Sequence, residues 1–365
     1  MINHIPHVPG QGLMKKKPMY TEYFDAVYNS WLSASVSMGG EVHRYLKING
    51  FSIRLSFCGS GMIPDIMPAF EHVVSPEVSE SDLTVCIWDS KTSGIKIPEI
   101  PGKINDLSIS EAILKYNDDT LMIVYWLEIK TIMLLNKTRN LGIYWIQDAS
   151  AIPFYDKVSP LRLIFQRWMR RRSCQVVHAG AVGFYDGGVL LVGKGGSGKS
   201  TTSLTCLNSE LLYAGDDLCL ITDYPDPYVY SLYNTGKLNA HDIDRFPSLK
   251  PALIDHRQLN GEKAIYFFYR CFHDKISAGF PVKAIFILEI TGLMNTKIRR
   301  VSPAKGFLAL APTTVSLMPR GVQPDLYHHL ASFVRRVPNY VLELGTDLNQ
   351  IPRVIIDFLK SDKNE

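Results

Sequence analysis

Residues Gly193–Ser200 read GKGGSGKS and fit G-x-x-x-x-G-K-[ST], the phosphate-binding P-loop pattern. Ahead of the match, Gly188-Val189-Leu190-Leu191-Val192 is short and apolar, as a buried strand is. Behind it, Ser200–Leu207 has the length of the first turns of a helix. Strand, glycine-rich loop and helix together are the context in which such a loop works. Its glycines let successive N–H groups turn inward as an anion nest, and a helix N-terminus adds partial positive charge. Gly193, Lys194, Gly195, Gly196, Ser197, Gly198, Lys199, Ser200 and Thr201 are therefore the expected nucleotide-phosphate contacts. Lys199 is expected to reach the terminal phosphates, and the Ser200 hydroxyl to ligate Mg²⁺.

Two further motifs flank this loop. Leu211–Ile221 reads as an apolar strand with Asp216 and Asp217 in its middle. Adjacent carboxylates repel, and burying them is costly without a cation, so one is expected to serve the metal and the other to take a proton. A turn between two short strands is the structural alternative. Upstream, Gln175–Phe184 reads as a strand carrying His178, and Asp186-Gly187 as a hairpin turn leading into the P-loop strand. A hairpin feeding the loop differs from the βαβ start of Ras-like and RecA-like NTPases. Lys237 and Lys263 are further candidate phosphate contacts, and Arg299 and Arg300 weaker ones.

With 365 residues the chain has the length of two domains. The net charge of +4 does not argue for nucleic acid, and the basic run Arg167, Arg170, Arg171, Arg172 reads as a solvated helix end. Six scattered cysteines without a C-x-x-C pair exclude the usual zinc spacings and argue against a disulfide framework. The N-terminus lacks an apolar signal-peptide core, and no run reaches the ~18 apolar residues of a membrane span. A cytoplasmic protein with no membrane partner is the expectation.

Along the chain, residues 1–19 read as a flexible leader and 20–37 as a helix with Tyr20, Phe24, Val27, Tyr28 and Trp31 at helical spacing. Leu46–Leu55, Leu83–Trp88, Leu121–Ile129 with Ile132–Leu135, and Leu141–Ile146 give a strand-rich region. Ser159–Arg172 reads as a helix. Beyond the acidic pair, Tyr228–Tyr233 reads as a strand and Asn234–Leu238 as a polar loop. His241–Leu249 and Pro251–Leu259 read as short helices. Strands are expected at Ala264–Phe268, Val282–Ile290, Lys297–Val301 and Tyr340–Leu344, and helices at Pro324–Val337 and Ile351–Lys360.

His178-Ala179-Gly180, GKGGSGKS and Gly215-Asp216-Asp217 together resemble the HPr kinase/phosphorylase family, which carries a His-Gly strand, a P-loop and an Ala-Asp-Asp strand at matching spacings. The resemblance implies an α/β (α+β) kinase fold related to phosphoenolpyruvate carboxykinase, using ATP and Mg²⁺ to phosphorylate a serine hydroxyl. Carried over by position, the catalytic residues are His178, Lys199, Asp216 and Asp217, and the metal residues are Ser200 and Asp216. Lys199 steadies the phosphates, Asp217 is the base, His178 orients it, and Asp216 supports the metal or its water. The chain departs from that family at Thr201, where the bifunctional members have Glu. Residues 230–240 (YSLYNTGKLNA) stand where a glycine-rich acidic signature is expected.

The overall layout also resembles HPr-kinase-related proteins encoded with peptide-modification genes, including lasso-peptide clusters. This resemblance rests on the layout and on the ending from Leu344-Gly345-Thr346-Asp347 to Ile351-Pro352. It implies a leader (1–19), a strand-rich N-terminal domain (20–158) and a P-loop kinase domain (159–365). The acceptor it implies is a peptide or small protein bearing a serine, such as a ribosomal precursor peptide. The HPr kinase family forms hexamers, so an oligomer is compatible with the resemblance. A small hydroxylated metabolite as acceptor, or a nucleotide-binding regulator without catalysis, are the alternatives.

Overall fold

The computed structural model describes residues 11–101, 113–254, 263–317 and 325–361. Residues 1–10 of the expected leader, 255–262 ahead of the Lys263 strand, and Pro324 lie outside them. The described chain is mixed α/β and divides into two compact units. One comprises Met1–His43, Leu55–Met62 and Leu83–Ala151; the other comprises Arg44–Arg54, Ile63–Asp82 and Ile152–Glu365.

The N-terminal half runs α1 (Gln11–Ser37), β1 (Glu41–Ile48), β2 (Phe51–Cys58), α2 (Ile63–Ile66), β3 (Val74–Ser75), β4 (Leu83–Asp89), α3 (Ser90–Ser93), β5 (Ile113–Asn117), β6 (Leu121–Trp126), β7 (Thr131–Asn136) and β8 (Leu141–Ile146). β5 to β8 form an antiparallel meander, and β4 joins it parallel to β8. Helix α1 buries Tyr20, Tyr23, Phe24, Val27, Trp31 and Ala34 against Trp88, Ile123, Ile132, Leu134 and Trp145. The helical spacing read from the sequence is this buried stripe, and the helix starts at Gln11, so residues 11–19 belong to it rather than to a leader. The expected strand Leu46–Leu55 is instead a hairpin turn: Asn49 and Gly50 both take positive φ (49° and 75°), as a two-residue I′ turn requires.

The other half runs α4 (Phe154–Val158), α5 (Arg162–Arg170), β9 (Cys174–Val177), β10 (Gly180–Phe184), β11 (Gly187–Val192), α6 (Lys199–Leu207), β12 (Leu212–Gly215), β13 (Cys219–Thr222), β14 (Tyr228–Ser231), β15 (Thr235–Asn239), β16 (Lys263–Phe267), α7 (Tyr269–Phe272), β17 (Gly279–Ile290), β18 (Lys297–Val301), α8 (Pro303–Ser316), α9 (Asp325–Arg336), β19 (Asn339–Leu344) and α10 (Gln350–Ser361). The main sheet follows the order β12-β10-β11-β17-β14-β13-β9, with β19 beside β17 and β18 beside β19. β11, β17 and β19 are parallel; β10 runs antiparallel to β11, and β12, antiparallel to β10, runs in the same direction as β11.

Helices cover both faces of this sheet. Val189 and Leu191 of β11 join a core with Cys206 of α6 and Ile351, Ile355 and Leu359 of α10. Leu190 and Val192 point the other way, into a core with Leu310 of α8 and Leu326, Leu330 and Phe333 of α9. All four β11 side chains are fully buried, each worth about 1.5–3 kcal/mol relative to exposure. A strand buried on both faces reads as an unbroken apolar run, which is why Val189–Val192 was legible.

Four sequence expectations differ here. Gln175–Phe184 is not one strand: it breaks at His178-Ala179 between β9 and β10. Leu211–Ile221 breaks at Asp216–Leu218 between β12 and β13, so the acidic pair sits in the bend, not inside a strand. Asn234–Leu238, expected as a loop, supplies most of β15, which pairs antiparallel with β16. The expected helix His241–Leu249 is instead two 3₁₀ turns, Ala240–Arg245 and Pro247–Ala252, and most of the expected helix Pro251–Leu259 lies outside the described residues.

Candidate active site

The two strand breaks lie level with one another. Ala181 pairs with Gly215 on one side of them, and Val177 pairs with Cys219 on the other. Each chain thus leaves one ladder and enters the next at the same place, held there by the Cys219 thiol donating to the Ala179 carbonyl (3.2 Å). His178 and Asp216-Asp217 occupy the gap. The backbone N–H of His178 donates to the Thr314 hydroxyl of α8 (3.2 Å). Gly180 pairs with Leu191, so the break falls at the edge of the sheet where β11 runs into the glycine-rich loop.

That loop makes the sharp turn its glycines allow. Gly193 has φ 152°, and a Cβ there would stand 2.5 Å from the Ser197 hydroxyl. Gly198 has φ 96°, and its Cβ would stand 2.8 Å from Cδ1 of Leu344. Around Gly195 and Gly196 the space is open, with nothing within 4 Å of a built Cβ. Lys194, Gly195 and Gly196 are exposed, Ser197 and Lys199 are buried, and Gly198, Ser200 and Thr201 are half-buried. Lys199 Nζ folds back to donate to the carbonyls of Gly193 (2.7 Å) and Lys194 (3.2 Å). Burial lowers the Lys199 pKa, while Asp217 and Asp216 pull it the other way.

The two acids have opposite environments. Asp217 Oδ2 accepts from Lys237 Nζ at 2.6 Å, and its Oδ1 is 3.2 Å from His178 Nε2. Burial alone would raise its pKa, but Lys237 and His178 outweigh that and hold the carboxyl well below the usual range. Asp216 is fully buried. Its Oδ2 accepts from the backbone N–H of Lys237 (3.3 Å), and its Oδ1 has no hydrogen-bond partner among the described residues. Burial and then the Asp217 charge push Asp216 up to about 7, eased by Lys237 and the Ser200 hydroxyl.

The sequence-read residues His178, Asp216 and Asp217 thus converge at the edge of the sheet that also carries the loop. Lys237, read as a candidate phosphate contact, bridges both acids from β15. Lys263 begins β16 exposed, and its charge is felt at Lys199. Arg299 lies on β18, 3.3 Å from Glu343. Thr314 was not singled out, because nothing in its sequence surroundings marks a threonine that contacts residue 178.

No family model matches the chain, and no curated protein does. A solved structure, the HPr(Ser) kinase/phosphatase from Coxiella burnetii, is similar to this chain. The similarity covers 52% of this chain and 96% of that one, at 15% identity and a TM-score of 0.27. Among the described residues no helix is long and apolar enough to cross a membrane.

Proposed function

We propose that the protein is an ATP- and Mg²⁺-dependent kinase that transfers the γ-phosphoryl group to a serine hydroxyl of a peptide or small protein. The observation that carries this reading is the convergence at one sheet edge of a glycine loop with an inward lysine, a clamped carboxylate and a buried, half-satisfied one. The residues fit both groups the reaction needs. The open space over Gly195 and Gly196 is a cradle for phosphate, with the Lys199 ammonium beside it. The orphan Oδ1 of Asp216 and the Ser200 hydroxyl, which lowers the pKa of that carboxyl, supply oxygen ligands suited to a hard cation. When bound, Mg²⁺ would neutralise charge on the phosphate chain.

The protein's own side chains divide the remaining work. Lys199 can exchange its two carbonyl partners for phosphate oxygens, a stronger charge-assisted contact. Asp217 is anionic at neutral pH and held on both oxygens, so it can align an acceptor hydroxyl and take its proton late, as a loose phosphoryl-transfer transition state requires. His178, fixed through its backbone by Thr314, keeps Asp217 in orientation.

The test is γ-labelled ATP with Mg²⁺, purified protein, and the short peptides encoded beside its gene. Label on a peptide serine is expected, and Lys199→Ala or Asp217→Asn should cut transfer by at least about a hundredfold. ATP binding with no label on any peptide would sink the peptide acceptor and leave a metabolite kinase or a regulator.

A further inference from the structure

At the edge where β11 enters the glycine loop, the strand ends are ordered β12, β10, β11, β17, β19. The pairings Gly180 with Leu191 and Ala181 with Gly215 set His178 and the acidic pair on one side of the loop. The pairings Val192 with Ile287 and Ile290 with Leu344 set the end of β17 and the turn after it on the other side. That turn is apolar and open to solvent: Ile290, Leu293 and Met294 are 65%, 60% and 71% exposed.

Its backbone is braced. The Thr346 N–H donates to the Leu293 carbonyl (2.8 Å), the Thr291 hydroxyl to the Leu344 carbonyl (3.1 Å), and the Gly345 N–H to the Thr296 hydroxyl (3.0 Å). The turn also adjoins the loop directly, since a Cβ on Gly198 would lie 3.8 Å from Cγ1 of Ile290. Large apolar side chains held in water on a fixed turn, next to a phosphate cradle, have the character of a contact surface.

A nucleoside triphosphate in the loop has two ends. The transferring end must meet Asp217 and His178, which lie toward β10 and β12. The nucleoside end then runs toward β17 and β19. Neighbouring strands are about 4.8 Å apart, so these ends lie roughly 5–10 Å from the loop strand, within reach of a nucleoside attached to an α-phosphate. We propose that Ile290, Leu293 and Met294 form the platform on which the base and ribose of the bound purine nucleotide pack. The proposal rests on the phosphate-site reading above. A flat heteroaromatic ring on branched aliphatic and thioether side chains is a common pocket chemistry, and methionine adapts to the ring edge.

The test is calorimetric titration of Mg·ATP and of Mg·tripolyphosphate into the full chain and into the Ile290→Ser/Leu293→Ser/Met294→Ser variant. Tripolyphosphate carries the phosphates without the base, so its affinity should be the same in both proteins. ATP affinity is expected to fall about tenfold in the variant, erasing most of the advantage of ATP over tripolyphosphate. Met294→Ser alone, at the most exposed of the three positions, repeats the comparison if the triple variant melts early. Unchanged ATP affinity overturns the platform and leaves the phosphate site standing. Unchanged ATP affinity with loss of peptide phosphorylation makes the turn an acceptor dock, which also overturns it. A wild-type protein that binds neither ligand overturns the phosphate site itself and the platform with it.

Discussion

Asp216 and Asp217 are adjacent in sequence, yet burial and ion pairing drive them in opposite directions, and each direction has a measurable sign. Asp216 sits at about 7, against an ordinary 3.8. Between those values the folded protein holds a proton that the unfolded chain has lost. This contribution to stability is therefore present at low pH and disappears as pH rises through about 7. Asp216→Asn, which removes the charge, should raise the melting temperature at pH 8 in magnesium-free buffer. The gain should be on the order of 1–2 kcal/mol and should shrink toward pH 4.5. Asp217 is depressed, so its contribution is present above about 4 and fades only below it. Asp217→Asn should lower the melting temperature at pH 7, with the difference closing as the buffer is acidified below pH 4. Differential scanning fluorimetry across pH reads both, and parallel curves for the two variants would refute this division. The pair itself was legible as two acids after a P-loop helix. Its division of labour was not, because the deciding cation, Lys237, lies 20 residues beyond Asp217 on a strand read as a loop.

At the scale of elements, strand interiors were readable and strand breaks were not. The run 175–184 is apolar on both sides of His178, so period and composition continue through a point where the chain changes ladder. Only the partner strand, breaking at Asp216–Leu218, reveals it. β15 was missed for a related reason: Thr235, Lys237 and Asn239 alternate with Gly236 and Leu238, and a short polar strand has the composition of a loop. Helix α8 matters because it fixes one break, the Thr314 hydroxyl accepting the His178 N–H. Thr314→Val keeps the shape but leaves that N–H without its acceptor, at a cost of about 1–2 kcal/mol. If α8 positions His178, transfer should fall severalfold with the KM for ATP unchanged, and Thr314→Ser should restore it. A rise in KM at constant kcat would instead place the effect at the nucleotide. Gly198→Ala tests the loop in the opposite sense. Its methyl would enter a left-handed backbone position 2.8 Å from Leu344, so a loss of about 1–3 kcal/mol is expected, together with weaker tripolyphosphate binding. Calorimetry that finds Gly198→Ala binding as the wild type does would mean the loop has room to relax.

At the scale of the whole molecule, strand density along the sequence suggests a boundary at 158–159, whereas the segments of the two compact units alternate along the sequence. The unit that carries the candidate site also contains Arg44–Arg54 and Ile63–Asp82. Residues 68–72 of the second segment are built into that unit's interior. The Asn234 side chain donates to the Pro68 carbonyl (2.8 Å) and its backbone N–H to the Ala69 carbonyl (3.0 Å). Phe70 packs its ring 5.7 Å from Phe165 and 5.4 Å from Tyr233. His72, buried so completely that its pKa falls to about 3, has Nε2 2.8 Å from the Ser231 hydroxyl. Contacts between residues 166 apart, as Pro68 and Asn234 are, leave no local signature in composition or periodicity. A fragment of residues 152–365 would keep the glycine loop and both acids but would uncover Phe165, Tyr233 and Ser231. Removing Phe70 alone has the scale of a large-to-small core change, about 3–5 kcal/mol, against a typical total stability of about 5–15 kcal/mol. The fragment is therefore expected to lack the cooperative melt and near-ultraviolet dichroism of the full chain. Calorimetric unfolding of the fragment beside the full chain decides it, and a cooperative transition for 152–365 at the full-length melting temperature would show that the early segments contribute little to the unit that holds the site.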